Sequence, residues 1–159
     1  MTLPAATQRF VDRSAALGYV AAPRVFPEGT KTSQDAARAA GCHLSQIVKS
    51  LVLTGDGQPI LVLMSGDRRV DTQALAELIG VKEVRRADLE TAREATGYAV
   101  GGTPPFGHVT DVPVYVDESL KRNEEVWVAA GTPSTIFPMP LTTLVDIARA
   151  TWVDVAESG

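Results

Sequence analysis

Two apolar runs flanking a glycine-rich turn constrain this chain more than any other feature. Gln46-Ile47-Val48-Lys49-Ser50-Leu51-Val52-Leu53 reads as a strand, Thr54-Gly55-Asp56-Gly57 as a turn longer than a two-residue loop, and Pro59-Ile60-Leu61-Val62-Leu63-Met64 as the antiparallel partner. The unbroken second run predicts a strand in the middle of a sheet. The first carries a single cation. Side-chain alternation puts Val48, Ser50 and Val52 on one side, and Ile47, Lys49, Leu51 and Leu53 on the other. An ammonium among aliphatic neighbours must snorkel to an opening or meet an anion, and that opening is the expected active site. The ordinary alternative is a strand-end lysine guarding an edge. Leu51, Val52 and Leu53 follow Lys49 closely enough to put it in mid-strand.

Around this pair the sequence predicts helices over about Pro4–Leu17, stopped by Gly18, and over Ser33–Ala40, capped by Thr32 or Ser33 and closed by Gly41. Pro23–Phe26 is a short extended piece between them. Asp71 caps a helix carrying Leu75, Leu78 and Ile79 and ended by Gly80, and Asp88 caps another that ends near Gly97. Val81–Val84, Val112–Val116 and Glu125–Ala130 read as strands, Asp117–Lys121 as a helical turn, and Leu141–Ala150 as a last helix before a short Trp152-Val153 tail. Strands and helices mix without strict alternation, which predicts one α+β domain over 1–159 with a mixed sheet.

The charge balance limits what such a domain can bind. Fifteen basic residues against nineteen acidic ones give a net charge of −4, which excludes a broad grip on nucleic-acid backbone but leaves room for a pocket that takes one end of an RNA strand. The composition, 45% hydrophobic and 21% charged, is that of an ordinary globular protein. No run approaches the roughly 18 apolar residues of a membrane span. The start of the chain lacks the pattern of a signal peptide, and Cys42 is the single cysteine, so the expected setting is the cytoplasm.

The other unusual segment is Gly97-Tyr98-Ala99-Val100-Gly101-Gly102-Thr103-Pro104-Pro105-Phe106-Gly107-His108. Its glycines let main-chain amides approach a ligand, and its prolines limit the conformations lost on binding. The spacing is neither a phosphate-binding Gly-Lys-Ser/Thr loop nor a dinucleotide fingerprint. Exposed amides here can donate to a carbonyl oxygen as it becomes an oxyanion; a tight helix-to-strand connection is the plain alternative. Cys42 and His43 are adjacent, a poor arrangement for a thiol and its base. His108 reads as a surface histidine, and Arg85-Arg86 as a solvated connection rather than a phosphate site. No metal-ligand spacing and no Gly-x-Ser-x-Gly elbow is present.

With these residues in view the chain resembles the YbaK family of trans-editing aminoacyl-tRNA deacylases, related to the editing insertion of bacterial prolyl-tRNA synthetases. The likeness runs from about Pro23 to the C-terminus. It includes Gln46–Leu53, Gly66-Asp67-Arg68-Arg69-Val70-Asp71, Thr96-Gly97-Tyr98, Gly101–Gly107, Val114–Leu120 and Ala129-Ala130-Gly131-Thr132. The resemblance implies a mixed, mainly antiparallel and partly barrel-like sheet flanked by helices. It implies that Lys49 is the essential lysine and that Gly101 and Gly102 form the catalytic glycine loop. Thr103, Pro104, Phe106, Gly107, Gly131 and Thr132 would then bind substrate. Family members often carry an acidic residue just before the leucine of the last helix, where this chain has Thr143 before Leu144.

The implied reaction is hydrolysis of the ester in a misacylated tRNA bearing a small amino acid, with tRNA for proline as the expected substrate type. No cofactor or metal is needed. The expected partners are the aminoacylated 3′ end and prolyl-tRNA synthetase, and neither DNA nor a membrane. Lys49 would hold phosphate or ribose oxygens, loop amides would meet the oxyanion, and water would attack. Two other readings stay open: a non-catalytic module that binds an aminoacyl or nucleotide end, and a hydrolase of free esters.

Overall fold

A computed structural model describes residues 2–158. Its elements run α1 (Ala5–Ala16), β1 (Arg24–Val25), α2 (Ser33–Ala40), β2 (Val48–Gly55), β3 (Gln58–Ser65), α3 (Thr72–Ile79), β4 (Val84–Arg86) and α4 (Leu89–Thr96). There follow β5 (Val114–Asp117), β6 (Glu125–Ala129), β7 (Thr135–Pro140), α5 (Leu141–Ala148) and β8 (Thr151–Val153), with short 3-10 turns at Leu44–Gln46 and Glu118–Arg122. The expected caps are in place. The side chains of Thr32, Asp71 and Asp88 accept from the amides of Asp35, Ala74 and Thr91, each satisfying an N–H that the first helical turn leaves unpaired.

The β2–β3 hairpin organises the fold. Its register pairs Lys49 with Met64 and Gly55 with Gln58, so the connecting loop is the two residues Asp56-Gly57 and is shorter than the sequence suggests. Both have positive φ, 48° and 84°, the combination that matches the twist of a two-residue hairpin. The Asp56 carboxylate also accepts from the amides of Lys82 and Glu83, which brings β4 to the edge of β2. β3 is the central strand of a sheet ordered β4-β2-β3-β5-β8. Leu61 and Leu63 face one core with Phe10, Val116 and Phe137, while Ile60, Val62 and Met64 face another with Leu75 and Val153. Burial on both faces is why this run has no polar residue in it.

A second sheet, ordered β1-β7-β6, is antiparallel throughout, whereas β3–β5 and β5–β8 pair in parallel. The fold is therefore α+β with mixed, mainly antiparallel pairing. The partly barrel-like closure is corrected: the strands split into two open sheets, bridged by one parallel contact between Ile47 and Trp127. Three other boundaries differ from those read in the sequence. The strand expected at Val81–Val84 starts at Val84 and takes in Arg85 and Arg86. The Trp152-Val153 tail is a strand, and Thr135–Pro140 is a strand in spite of two prolines. β1 pairs only with Thr135 and Ile136, so the nitrogen of Pro138 is not required by a neighbouring strand on that side.

Leu63 is fully buried between β3 and the larger core. Its replacement by Ala should lower the unfolding free energy by about 2–5 kcal/mol, measured by urea denaturation.

Candidate active site

β4 pairs with β2 only from Leu53 to Gly55 and the Ala87 N–H bonds the Val52 carbonyl, while Ile47 bridges to Trp127, so the edge of β2 is open between these contacts, around Ser50. Two cavities lie along that edge. The first, about 300 Å³, is walled by Lys49, Ser50 and Leu51 of β2, by the 30–33 segment leading into α2, and by Val100, Gly101 and Thr103. Trp127, Ile136 and Ala36 form an apolar end. The strand that carries Lys49 and the glycine loop, far apart in sequence, thus face one space.

Lys49 is half-buried, and its Nζ donates to the Arg68 carbonyl. Burial is the main cause that lowers its pKa below the ordinary lysine value, and the nearby Arg69 adds to it, while Asp67 opposes both. The 65–69 turn is itself tied down. Arg122 donates to both carboxylate oxygens of Asp67, at 2.7 and 3.0 Å, and the Ser65 hydroxyl donates to the same group. The hydrogen bond from Arg122 is the chief reason that the Asp67 carboxyl falls to about 2. A guanidinium–carboxylate fork therefore fixes the turn whose carbonyl holds the Lys49 ammonium.

The glycine loop divides its work between neighbours. Gly101 has φ +96°, and a Cβ there would make only ordinary contacts, 3.7 Å from the Pro133 ring and 4.0 Å from the Lys31 side chain. Among the described residues no acceptor pairs with its N–H. Gly102 differs. Its N–H donates to Ala99 (3.1 Å), its carbonyl accepts from the Gly131 N–H (2.8 Å), and a Cβ would lie 2.6 Å from the Thr132 Cα. Gly131 in turn lies against α1, where a Cβ would be 2.9 Å from the Ala6 carbonyl oxygen. The Thr132 hydroxyl bonds that of Thr135 (2.8 Å). Gly102, Gly131 and Thr132 thus form the backing of the loop, while Lys49, Gly101 and Thr103 line the cavity.

The rest of the loop leads away. Phe106 is buried against Phe10, with ring centroids 5.2 Å apart, and Gly107 packs near Phe10 and Arg13. The Pro104 carbonyl is bonded by His108 Nε2 at 2.7 Å. Phe106, Gly107 and His108 line a separate cavity, so these three do not meet Lys49. His108 is half-buried at the edge of this cavity rather than fully exposed; burial is the main cause that lowers its pKa. Cys42 and His43 line yet another cavity with Gln46 and Glu125. No group of three or more His, Cys, Asp or Glu suited to a metal occurs among the described residues.

Sequence reasoning missed the wall opposite Lys49. Thr30, Lys31, Thr32 and Ser33 bring three hydroxyls and a second cation to the cavity, yet only Thr32 and Ser33 drew notice, as helix caps. Trp127 was read as one residue of a strand, but it also closes the cavity and carries Arg24 over its ring at 5.2 Å. None of the residues lining this cavity is an Asp, Glu, His or Cys, so it contains no carboxylate, imidazole or thiol.

The model of the aminoacyl-tRNA editing domain matches residues 27–147. The chain belongs to that family. YwhH of Bacillus subtilis (strain 168), an uncharacterized protein, is 34% identical over 134 residues, covering 83% of this chain and 85% of YwhH. EbsC of Enterococcus faecalis (strain ATCC 700802 / V583), named as a candidate Cys-tRNA(Pro)/Cys-tRNA(Cys) deacylase, is 29% identical over 67% of this chain and 65% of its own. A crystal structure described as a candidate trans-editing enzyme for prolyl tRNA synthetase superposes with a TM-score of 0.93 and 37% identity, over 99% of this chain and 100% of that one. Proline–tRNA ligases match as well, and the chain spans between 15% and 24% of the length of those from Elusimicrobium minutum (strain Pei191) and Desulfovibrio desulfuricans (strain ATCC 27774 / DSM 6949 / MB). No helix of this editing-family chain is long and apolar enough, among the described residues, to cross a membrane.

The two glycines should respond differently to substitution. Gly101→Ala clashes with nothing, its Cβ resting in ordinary contact with Pro133 and Lys31, and should cost about 1–2 kcal/mol for its left-handed backbone. Gly102→Ala must push the Thr132 backbone away and should cost more, with amide shifts spreading to Gly131 and α1. Thermal melts and two-dimensional NMR of both variants read the difference.

Proposed function

We propose that this chain is an editing hydrolase that removes a small amino acid from a misacylated tRNA, of the kind charged by prolyl-tRNA synthetase, acting in trans as one domain over 1–159 in the cytoplasm. The observation that carries the reading is the juxtaposition of Lys49 and the free Gly101 N–H across a cavity of about 300 Å³ with an apolar end. A space of that size is at the small end of ligand sites. It suits an aminoacyl ester with its terminal ribose better than a long acceptor strand.

In this reading the Lys49 ammonium keeps one hydrogen on Arg68 and offers the others to ribose or phosphate oxygens, as a compact point charge. That contact fixes the ester beside Gly101. The Gly101 N–H then donates to the carbonyl oxygen as it gains negative charge. Thr103 flanks the same wall; Gly102, Gly131 and Thr132 hold the loop rather than the ligand. Water adds to the carbonyl carbon, the bond to the ribose oxygen breaks, and that oxygen takes the proton, releasing amino acid and uncharged tRNA. The absence of a carboxylate, imidazole or thiol in the cavity lining leaves proton transfer to the neighbouring ribose hydroxyl and to solvent. An ester needs less help than an amide, so positioning and one oxyanion donor carry much of the acceleration. The apolar end at Trp127 and Ile136 is the expected seat of the amino-acid side chain, and its walls reject larger residues by size.

A panel of misacylated tRNAs tests the proposal. Wild-type protein should release amino acid from at least one of them, and Lys49→Ala should slow that release by roughly 10²-fold or more while folding normally. Protection of every ester would mean a binding module. Equal rates on free amino-acid esters would mean an esterase without interest in RNA. The pH profile supplies a second check. Burial and Arg69 lower the Lys49 pKa, so the rate, corrected for spontaneous hydrolysis, should fall at a lower pH than an ordinary lysine would dictate. Arg69→Gln removes one depressing charge and should move that alkaline limb to higher pH; Asp67→Asn should move it lower.

A further inference from the structure

The second cavity on the open edge of β2 has about the same size as the first, some 310 Å³. Ser50, Leu51, Val100 and Thr103 line both, so the two spaces share a wall. Beyond these the second is mainly apolar, built from side chains such as Leu53, Val70 and Ala87 with the hydroxyl of Thr72, and its only charged lining residue is Arg86. Two large aliphatic residues at this cavity stay in water, Leu89 at 73% and Val100 at 53% relative exposure. Both line the cavity, so a ligand seated in it would take apolar surface out of water.

The main chain at the shared wall has a definite polarity. Antiparallel strands turn the N–H and C=O of alternate residues toward one neighbour and then the other. The Val52 carbonyl accepts from the Ala87 N–H, so Val52 faces away from β3. Ser50, two residues earlier, has the same orientation, and β4 no longer accompanies the strand there. Ser50 therefore presents one donor and one acceptor on an unpaired edge, and its buried Oγ has no partner among the described residues. A donor beside an acceptor on a strand edge complements the Watson–Crick edge of adenine, which offers an amine next to a ring nitrogen. Proteins that take a base out of its stack read that edge and hold the ring between apolar or aromatic side chains.

We propose that this second cavity seats the terminal adenine of the acceptor strand, its edge on the Ser50 main chain and its faces against Leu51, Leu89 and Val100. Arg86 lies at one end to stack on the ring or meet a phosphate. It pairs with Leu53, so it shares a sheet face with Lys49, four residues and roughly 13 Å along the strand. The ribose and its ester then fall at the shared wall, between the base and the cavity that holds Lys49 and Gly101. The proposal rests on the editing function above and adds the group by which the protein would demand a nucleotide rather than a free ester.

NMR titration of the labelled full chain with adenosine and guanosine 5′-monophosphates tests it. Adenosine monophosphate should shift the amides of Ser50, Leu51, Ala87 and Val100 saturably. The guanosine form, whose edge has donor and acceptor reversed, should bind about tenfold or more weakly. Arg86→Ala and Leu89→Ser change exposed side chains and should fold normally. Each should weaken adenosine binding and slow release from misacylated tRNA, with the thermal melt of the protein unchanged. No shift with adenosine monophosphate, shifts confined to Lys31 and Trp127, equal binding of the guanosine form, or full tRNA activity in both variants would overturn the adenine seat. Hydrolysis that persists in those cases leaves the editing function standing. Adenosine binding at the second cavity without hydrolysis of any misacylated tRNA would support the seat and reject the enzyme.

Discussion

The contact on which the candidate site depends joins two pieces of main chain with no side chain between them. Gly102 lies so close to Thr132 that any Cβ would overlap the backbone, and its carbonyl takes the Gly131 N–H. Gly131 is pressed in turn against Ala6 of α1, where a Cβ would lie 2.9 Å from the carbonyl oxygen. Helix, turn and loop are therefore stacked at backbone distance, and only glycine permits that spacing. The result reaches one residue further. With Gly102 locked, Gly101 beside it lines the cavity, and its peptide N–H has no acceptor among the described residues. Preorganisation of this kind is what makes a single amide useful against a developing charge, because nothing has to rearrange when the charge appears.

On the opposite wall the constraint is electrostatic. An ammonium half-buried in a strand loses hydration that its surroundings must replace. The Arg68 carbonyl supplies part of it, and that carbonyl stays put because Arg122 grips Asp67 next door. The same geometry leaves Lys49 incompletely compensated. Burial and Arg69 lower its pKa against the opposing pull of Asp67. Arg69 is a neighbour that an isolated structural lysine would avoid, and an anionic ligand would satisfy both. The two walls are thus complementary in kind, one offering a rigid neutral donor and the other an under-neutralised charge.

Much of this was legible in the sequence, and the boundary of legibility has physical causes. The β2–β3 hairpin, the capped helices and the mid-strand position of Lys49 follow from local rules about alternation, turn residues and capping hydroxyls, all of which act within a few residues. That Gly101 faces Lys49 was carried by resemblance, since no local rule relates positions 49 and 101. Gly102 and Gly131 read as ligand-lining glycines, yet both are explained by main-chain packing, a distinction that only the neighbours of the missing Cβ reveal. Phe106 and Gly107 sit in the same short loop as Gly101 but turn into the core, because the consecutive prolines between them redirect the chain. Thr30–Ser33 share a cavity with Lys49 because α2 packs Ala36 and Ala37 against Ile47, Trp127 and Ile136. The strand at Thr135–Pro140 escaped notice because a proline is excluded from most sheet interiors, and nothing local announces that β1 ends before reaching it.

The net charge of −4 and the proposed RNA ligand look opposed until the charges are placed. Lys31 and Lys49 line the first cavity and Arg86 the second, with Arg69 close enough to Lys49 to shift it. The cations gather along the open edge of β2. Exposed charges elsewhere on the surface are screened beyond roughly 8–10 Å at ordinary ionic strength, so the acidic balance of the whole chain is felt weakly at that edge. Few phosphates can be neutralised by so few cations, and affinity built on them should be modest and only mildly salt-dependent. Such a protein grips the tip of a tRNA rather than its body. It can judge what is esterified there, while any choice among tRNAs must come from the acceptor end itself or from a second protein that holds the rest.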